Sequence, residues 1–123
     1  MLNLTEHPPG NHHVIRSVEN DRIMINDRSF STSVLVGARL LDDSWPVRSL
    51  DDLNERTVEP LLAFAPELVV IGIGQHPQFP GGQIQNLFFR RGIGLECMTL
   101  KAAARTFNIL MSEDRRAIAG LIV

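Results

Sequence analysis

The pattern of apolar and polar positions changes character about halfway along the chain. In residues 13–36, runs rich in β-branched side chains are separated by two short polar breaks, at 19–21 and 26–27. Tight polar breaks between such runs are typical of hairpin turns, so the first half predicts an antiparallel meander. Its third strand is expected to be continuous over residues 29–36, where alternating side chains indicate a sheet with one covered face.

From Pro66 onward, strands and helices alternate. Residues 68–71 are uniformly apolar, which is typical of a central strand buried on both faces. The elements that follow are a short amphipathic helix, a strand, a helix capped by Thr99 and a last strand, over residues 84–91, 93–98, 100–112 and 115–123. Strands joined through helices run parallel, with right-handed crossovers. The sequence therefore predicts an α/β protein: an N-terminal antiparallel meander followed by a β-α-β-α-β unit with mainly parallel strands.

Tryptophan and proline mark the connection between these two halves. Pro46 holds Trp45 extended, and we expect the indole to be packed as a plug over the edge of the sheet, with stacking on a ligand as the alternative. Residues 49–52 resemble a capping box, but the apolar pattern after them is broken, so only a single helical turn is expected. Thr57 is the expected N-cap of the next helix, which would place Pro60 in its first turn.

Composition and charge narrow the class of protein. The 123 residues have the length of one domain, and we expect residues 1–12 to be a flexible lead-in to a single domain over residues 13–123. A net charge of -2 gives no reason to expect nucleic acid as a partner. No apolar run approaches the roughly 20 residues of a transmembrane helix, and the single Cys97 cannot form an internal disulfide. We therefore expect a protein of the bacterial cytoplasm.

A glycine pair ends the predicted central strand, as at the start of a dinucleotide-binding fingerprint. Gly72 and Gly74 match, but Pro77 occupies the position of the third glycine, and no acidic residue ends a second strand at the expected distance. Tight backbone geometry at the strand end is the simpler interpretation. The histidines near the N-terminus would point to opposite faces of a strand, so neither a metal site nor a bound cofactor is expected.

The less usual polar side chains stand in the strand and helix after residue 92: Glu96, Arg105, Thr106 and Asn108. Glu96 has apolar neighbours in sequence, so its burial would require a partner, for which Arg105 is the candidate. Asn108 is a poor helix former in mid-helix, so its side chain should hydrogen-bond to a specific group. One interpretation is a buried polar clamp that fixes the helix to the strand, because no nucleophile–base pair and no pair of carboxylates stands among these residues.

The alternative to the clamp is a ligand pocket. Crevices at the carboxyl ends of strands are where α/β proteins bind ligands. Such a pocket would lie between the loop over residues 72–80 and the helix start at Thr99, with Gln75 and His76 on the loop. His76 is then the best acid–base candidate, since histidine titrates near neutral pH. The sequence assigns no catalytic residue.

Two stretches of the chain resemble a known family: VVIGIGQHPQF at residues 69–79, and GIGLECMTLKAAARTFNILMSEDRRAIAGLIV at residues 92–123. The family is that of complex I assembly factor 3 and the adipogenesis-associated protein, with many bacterial and archaeal members. The resemblance implies a three-layer β/β/α fold without an established catalytic activity. Ile73 stands where a threonine is expected and Phe107 where a tyrosine is common, and the loss of both hydroxyls weakens the case for a hydrogen-bonding ligand site.

The resemblance also implies a function. We expect a non-enzymatic protein-binding or assembly protein that presents an apolar sheet face, or the loop over residues 72–80, to an unknown protein partner. We expect it to be a monomer or a weak homodimer. The alternative is a small-ligand-binding protein or an unrecognised enzyme that uses the crevice near Gly74, Glu96 and Arg105.

Overall fold

The computed structural model describes residues 12–19 and 21–123. Along this part of the chain the elements are β1 Ile15–Glu19, β2 Arg22–Ile25, β3 Arg28–Phe30, β4 Val34–Val36, β5 Leu41–Asp42, α1 Glu55–Ala63, β6 Leu68–Ile73, α2 Gly82–Arg90, β7 Gly94–Met98, α3 Leu100–Ser112 and β8 Ala117–Ile122. The flexible lead-in that we predict for residues 1–12 lies, apart from His12, outside the described residues. The predicted α/β class is confirmed.

The strands form two sheets. Strands β1, β2 and β3 are an antiparallel three-stranded meander. The other sheet has five strands in the order β5-β4-β8-β6-β7. In it β6 runs parallel to both β8 and β7, whereas β4 runs antiparallel to β8 and to β5. The predicted parallel β-α-β-α-β unit is therefore present, and β7 forms one edge of its sheet.

The continuous strand predicted over residues 29–36 is wrong, because the chain leaves the small sheet after β3 and enters the large sheet at β4. Hydroxyl side chains between the two strands bond to other segments. The Thr32 hydroxyl donates to the Asp43 carbonyl at 3.0 Å, and the Ser33 hydroxyl accepts from the Val123 N–H at 3.1 Å. Residues 31–33 are three consecutive polar residues, and this interruption of the apolar pattern coincides with the change of sheet.

Both faces of the five-stranded sheet are covered by apolar side chains. Helices α1 and α2 and the Trp45 segment pack on one face. Helix α3 and the three-stranded sheet pack on the other. Every residue of β6 after Leu68 is buried, which confirms the predicted central strand. None of the helices within residues 12–19 and 21–123 has the length and apolar character needed to cross a bilayer.

Trp45 covers the middle of the five-stranded sheet, not its edge as we expect from the sequence. Its ring lies over β8, where a Cβ built on Gly120 would be 2.7 Å from the Cη2 atom of the indole. The buried indole N–H donates to the Thr57 carbonyl at 2.9 Å. Since this bond satisfies the polar atom of the side chain, Trp45 is a structural core residue.

Helix α1 begins earlier than predicted, because Asn54 and not Thr57 is its N-cap. The two side chains bond reciprocally: the Asn54 side-chain oxygen accepts from the Thr57 N–H at 3.0 Å, and the Thr57 hydroxyl accepts from the Asn54 N–H at 2.9 Å. Pro60 consequently lies inside the helix and not in its first turn. Both residue types are good caps, and the reciprocal bonds place the start of the helix at Asn54. The single helical turn expected from residues 49–52 is present at Leu50–Asp52.

Candidate functional site

A cavity of about 410 Å³ lies at the carboxyl end of β6, beside the start of α3. We call it the cap cavity; it is lined by Val18, Glu19, Gly74, Gln75, Thr99, Leu100 and Lys101. Gly74 has a φ of +63°, which allows the chain to turn sharply after β6. Its carbonyl accepts from the Leu100 N–H at 3.0 Å, and the Thr99 hydroxyl accepts from the Ala102 N–H at 3.2 Å. Two amides of the first turn of α3 are therefore already bonded.

Three of the nine predicted site residues meet at the cap cavity, namely Gly74, Gln75 and Thr99. Gly72 does not, because it is buried beneath α3, where its Cβ would lie 2.4 Å from the Cβ of Ala103. His76 is exposed on the loop and lines neither this cavity nor the groove described below. The observed cavity thus includes only some of the residues proposed for the pocket. Its role stays a prediction.

The buried clamp between Glu96 and Arg105 is wrong, because both side chains are exposed. No ion pair joins these two residues, both of which belong to the described part of the chain. Glu96 belongs to β7, an edge strand with a single neighbour, so its side chain remains in solvent without needing a partner. Thr106 is half-buried and donates its hydroxyl to the Met98 sulfur at 3.4 Å.

Asn108 fixes α3 to the small sheet and not to β7. Its side-chain oxygen accepts from the Ile15 N–H at 2.9 Å, and its side-chain nitrogen donates to the Ile15 carbonyl, also at 2.9 Å. The Asn108 side-chain amide therefore bonds to both backbone groups of Ile15, as a neighbouring strand would. Such a paired contact explains a poor helix former at this position.

A second concave surface, which the sequence reasoning missed, lies between α2 and the outer edge of β7. We call it the edge groove; it has a volume of about 790 Å³ and is lined by Phe79, Pro80, Phe89, Leu95, Glu96, Cys97 and their neighbours on α2 and β7. The side chains of Phe79 and Phe89 are 70% and 81% exposed. The sequence does contain a signal for an exposed ring on α2. Two adjacent phenylalanines in a helix cannot both face the core, and since Phe88 is buried, Phe89 is exposed.

Cys97 lines this groove as a thiol of low reactivity. The thiol is half-buried, and burial raises its pKa to about 11. No three His, Cys, Asp or Glu side chains within residues 12–19 and 21–123 cluster closely enough to hold a metal ion. The groove thus offers apolar rings, the side-chain amides of Gln85 and Asn86, a protonated thiol and one carboxylate, which are suited to contact rather than to bond making.

The raised pKa predicts slow alkylation of Cys97. Because the thiolate is the reactive form, the folded protein at pH 8 should react with iodoacetamide at roughly one hundredth of the rate of an unhindered thiol, and the rate should climb as the pH approaches the thiol pKa. Mass spectrometry of timed samples measures this rate, with protein unfolded in urea as the control. Rapid labelling of folded protein at pH 8 would show that the thiol is not protected by burial.

Fold and site together define a two-sheet α/β protein with a small cavity at the carboxyl end of its central strand and an aromatic groove along one sheet edge. The chain belongs to the family described as "Protein of unknown function (DUF498/DUF598)", which it matches over residues 15–122. The family resemblance predicted from the sequence is confirmed.

Relatives from three organisms support this membership. A solution structure of a Xanthomonas campestris protein is 34% identical, with a TM-score of 0.84, and the match covers 99% of this chain and 92% of that one. The Drosophila melanogaster protein named NADH dehydrogenase [ubiquinone] 1 alpha subcomplex assembly factor 3 is 31% identical over 110 residues. That match covers 85% of this chain but 52% of the relative, so the chain spans about half the length of the fly protein. The Francisella tularensis "13 kDa major membrane protein" is 23% identical over 95 residues, covering 76% of this chain and 77% of the relative.

Proposed function

We propose that this protein is a non-enzymatic binding protein that docks another protein on the edge groove. The observation that carries the proposal is the pair Phe79 and Phe89, which line the same groove and are 70% and 81% exposed. Contiguous exposed apolar surface beside a concavity is a mark of interaction sites, since leaving two phenyl rings in water forgoes the free energy of burying them.

The relative from Drosophila supports a role in assembly, because its name describes an assembly factor. Since this chain spans about half of that protein, the identity of the partner is not carried over. What is proposed is the kind of activity, protein binding without catalysis, by a monomer or a weak homodimer. From the sequence we expect the loop over residues 72–80 to contact the partner. That loop contributes Phe79 to the edge groove.

The compartment that we propose is the bacterial cytoplasm, a location supported by the single unpaired Cys97. The Francisella relative is named as a membrane protein. Fractionation of cells expressing the chain distinguishes the two: the proposal predicts recovery in the soluble cytoplasmic fraction, and recovery with membranes after a salt wash would contradict it.

Ligand binding remains the second candidate, in a narrower form. The crevice proposed near Gly74, Glu96 and Arg105 is not a single site, because Gly74 lines the cap cavity and Glu96 lines the edge groove. Of the two parts of that crevice, the cap cavity is the candidate for a small ligand, and Glu19 and Lys101 line it with charges of opposite sign. A thermal-shift screen with nucleotides and other metabolites tests this candidate, since a ligand of the native state raises the melting temperature.

The docking proposal predicts that a Phe79→Ser/Phe89→Ser double variant loses its partners. Each ring buried on binding contributes roughly 1.5–3 kcal/mol, so captured proteins should be retained at least about tenfold less well. The measurement is affinity capture from a native extract with quantitative mass spectrometry. Thermal unfolding should be nearly unchanged, since exposed side chains contribute little to stability.

Phe64→Ser is the matched control, because Phe64 is also an exposed phenylalanine, at 53%, but lies at the end of α1 and does not line the edge groove. It should retain the wild-type set of partners. Equal capture by wild type and the double variant, or equal loss from the control, would contradict a docking role for the edge groove.

A further inference from the structure

The outer edge of β7 carries backbone groups that the sheet does not use. In a parallel ladder, alternate residues direct both backbone groups to the neighbouring strand. The Gly94 N–H donates to the Glu67 carbonyl at 3.0 Å, and the register pairs Val70 with Glu96. Gly94, Glu96 and Met98 therefore bond to β6, while the backbone groups of Leu95 and Cys97 point outward. Within residues 12–19 and 21–123, no loop or helix bonds to these outward groups.

The groove beside this edge has two chemically different sides. The side chains of Leu95 and Cys97 join the core cluster on the α2 face, where Phe79 and Phe89 line the groove. Side chains alternate across a strand, so Glu96 points to the opposite, α3 face. An added strand would place its own side chains alternately against the two phenyl rings and beside the Glu96 carboxylate.

Charge argues against a second copy of β7 as the added strand. An antiparallel copy that pairs Leu95 with Cys97 would place one Glu96 directly opposite the other, and like charges in that position are destabilising. The exposed carboxylate instead complements a basic residue. Free edge strands often carry such charges to prevent pairing between identical chains.

We propose that the edge groove binds an extended segment of a partner protein, which adds to the sheet as a sixth strand beside β7. The segment has apolar side chains against Phe79 and Phe89 and a lysine or arginine beside Glu96. Main-chain bonds to Leu95 and Cys97 supply affinity, and the alternating side chains supply specificity. This inference rests on the proposed function and names the form that the partner takes.

The test begins with a displayed library of random decapeptides, selected on the full chain. The enriched peptides should carry apolar residues at alternate positions and a basic residue between them. Binding of an enriched peptide should slow amide hydrogen exchange at Leu95 and Cys97, measured by NMR. This measurement uses the wild-type protein, so it does not depend on the folding of any variant.

Two substitutions sharpen the test. Cys97→Pro removes an outward N–H without removing a bond to β6, and it should weaken the selected peptides about tenfold, whereas Cys97→Ala should change their affinity less than about twofold. Glu96→Lys should shift the selected residue from basic to acidic.

The outcomes separate this inference from the proposed function. Peptides that require Phe79 and Phe89 but leave the amides of Leu95 and Cys97 unprotected would overturn the added strand and leave the docking function standing. Enriched peptides with apolar residues at helical spacing would also overturn it. A selection that yields no peptide dependent on the two phenylalanines would overturn both.

Discussion

Replacing Gly72 by alanine should lower the free energy of unfolding by about 1–3 kcal/mol, the usual effect of overpacking a core. A Cβ at this position would lie 2.4 Å from the Cβ of Ala103 and 3.3 Å from the Cα of Leu100. Both contacts belong to α3, one of them to its backbone, so no rotation of a side chain relieves them. Urea unfolding followed by circular dichroism measures the change.

Two further variants decide whether this close approach is the cause. Gly82→Ala is the matched control, since its added Cβ has no neighbour within 4 Å and lies at the start of α2. It should be neutral or slightly stabilising. Combining Gly72→Ala with Ala103→Gly removes the closer of the two contacts, the one with the Ala103 Cβ, so the two substitutions should be non-additive by more than about 0.5 kcal/mol. A Gly72→Ala variant as stable as wild type would show that α3 can move away from β6.

The C-terminal half could be predicted from the sequence because its signals are local. Thr99 caps α3 through its own side chain, and the helix spans Leu100–Ser112 as predicted. The uniform apolar run of β6 indicates a strand with both faces covered, whatever covers them. Each of these features depends on a few adjacent residues, and periodicity detects such features well.

The N-terminal half was harder because its boundaries depend on distant partners. The chain changes sheet after β3, and Ser33 bonds to the last residue of the chain, Val123. Each of these two strands has only three residues, too few for a periodic pattern to identify its partner. No local rule indicates that β3 pairs with β2 while β4 pairs with β8.

The candidate site could be predicted only in part, because it too depends on which distant segments lie side by side. Gly74, Gln75 and Thr99 do meet, since the loop after a parallel strand lies beside the start of a following helix. The edge groove was missed because its existence depends on which strand ends the sheet. The apolar neighbours of Glu96 in sequence suggest burial, but β7 has a single neighbouring strand and Glu96 is exposed.

Asn108→Ala should lower the free energy of unfolding by about 2 kcal/mol, because it leaves both backbone groups of buried Ile15 without their partner. The loss should be local as well as global. Strand β1 is bonded through its other residues to β2 alone, so exchange of the Ile15 amide should accelerate before that of β6. Asn108→Asp should be destabilised as well, since it replaces the donor to the Ile15 carbonyl by a second acceptor.

The matched control for Asn108 is Arg105→Ala, one turn earlier on α3, where the side chain is exposed and makes no ion pair with Glu96. Its stability should stay within about 0.5 kcal/mol of wild type, as for other surface substitutions. If Arg105→Ala were as damaging as Asn108→Ala, a polar clamp around Arg105 would have to form in solution. If Asn108→Ala left the Ile15 amide fully protected, the contact between α3 and β1 would rest on apolar packing alone.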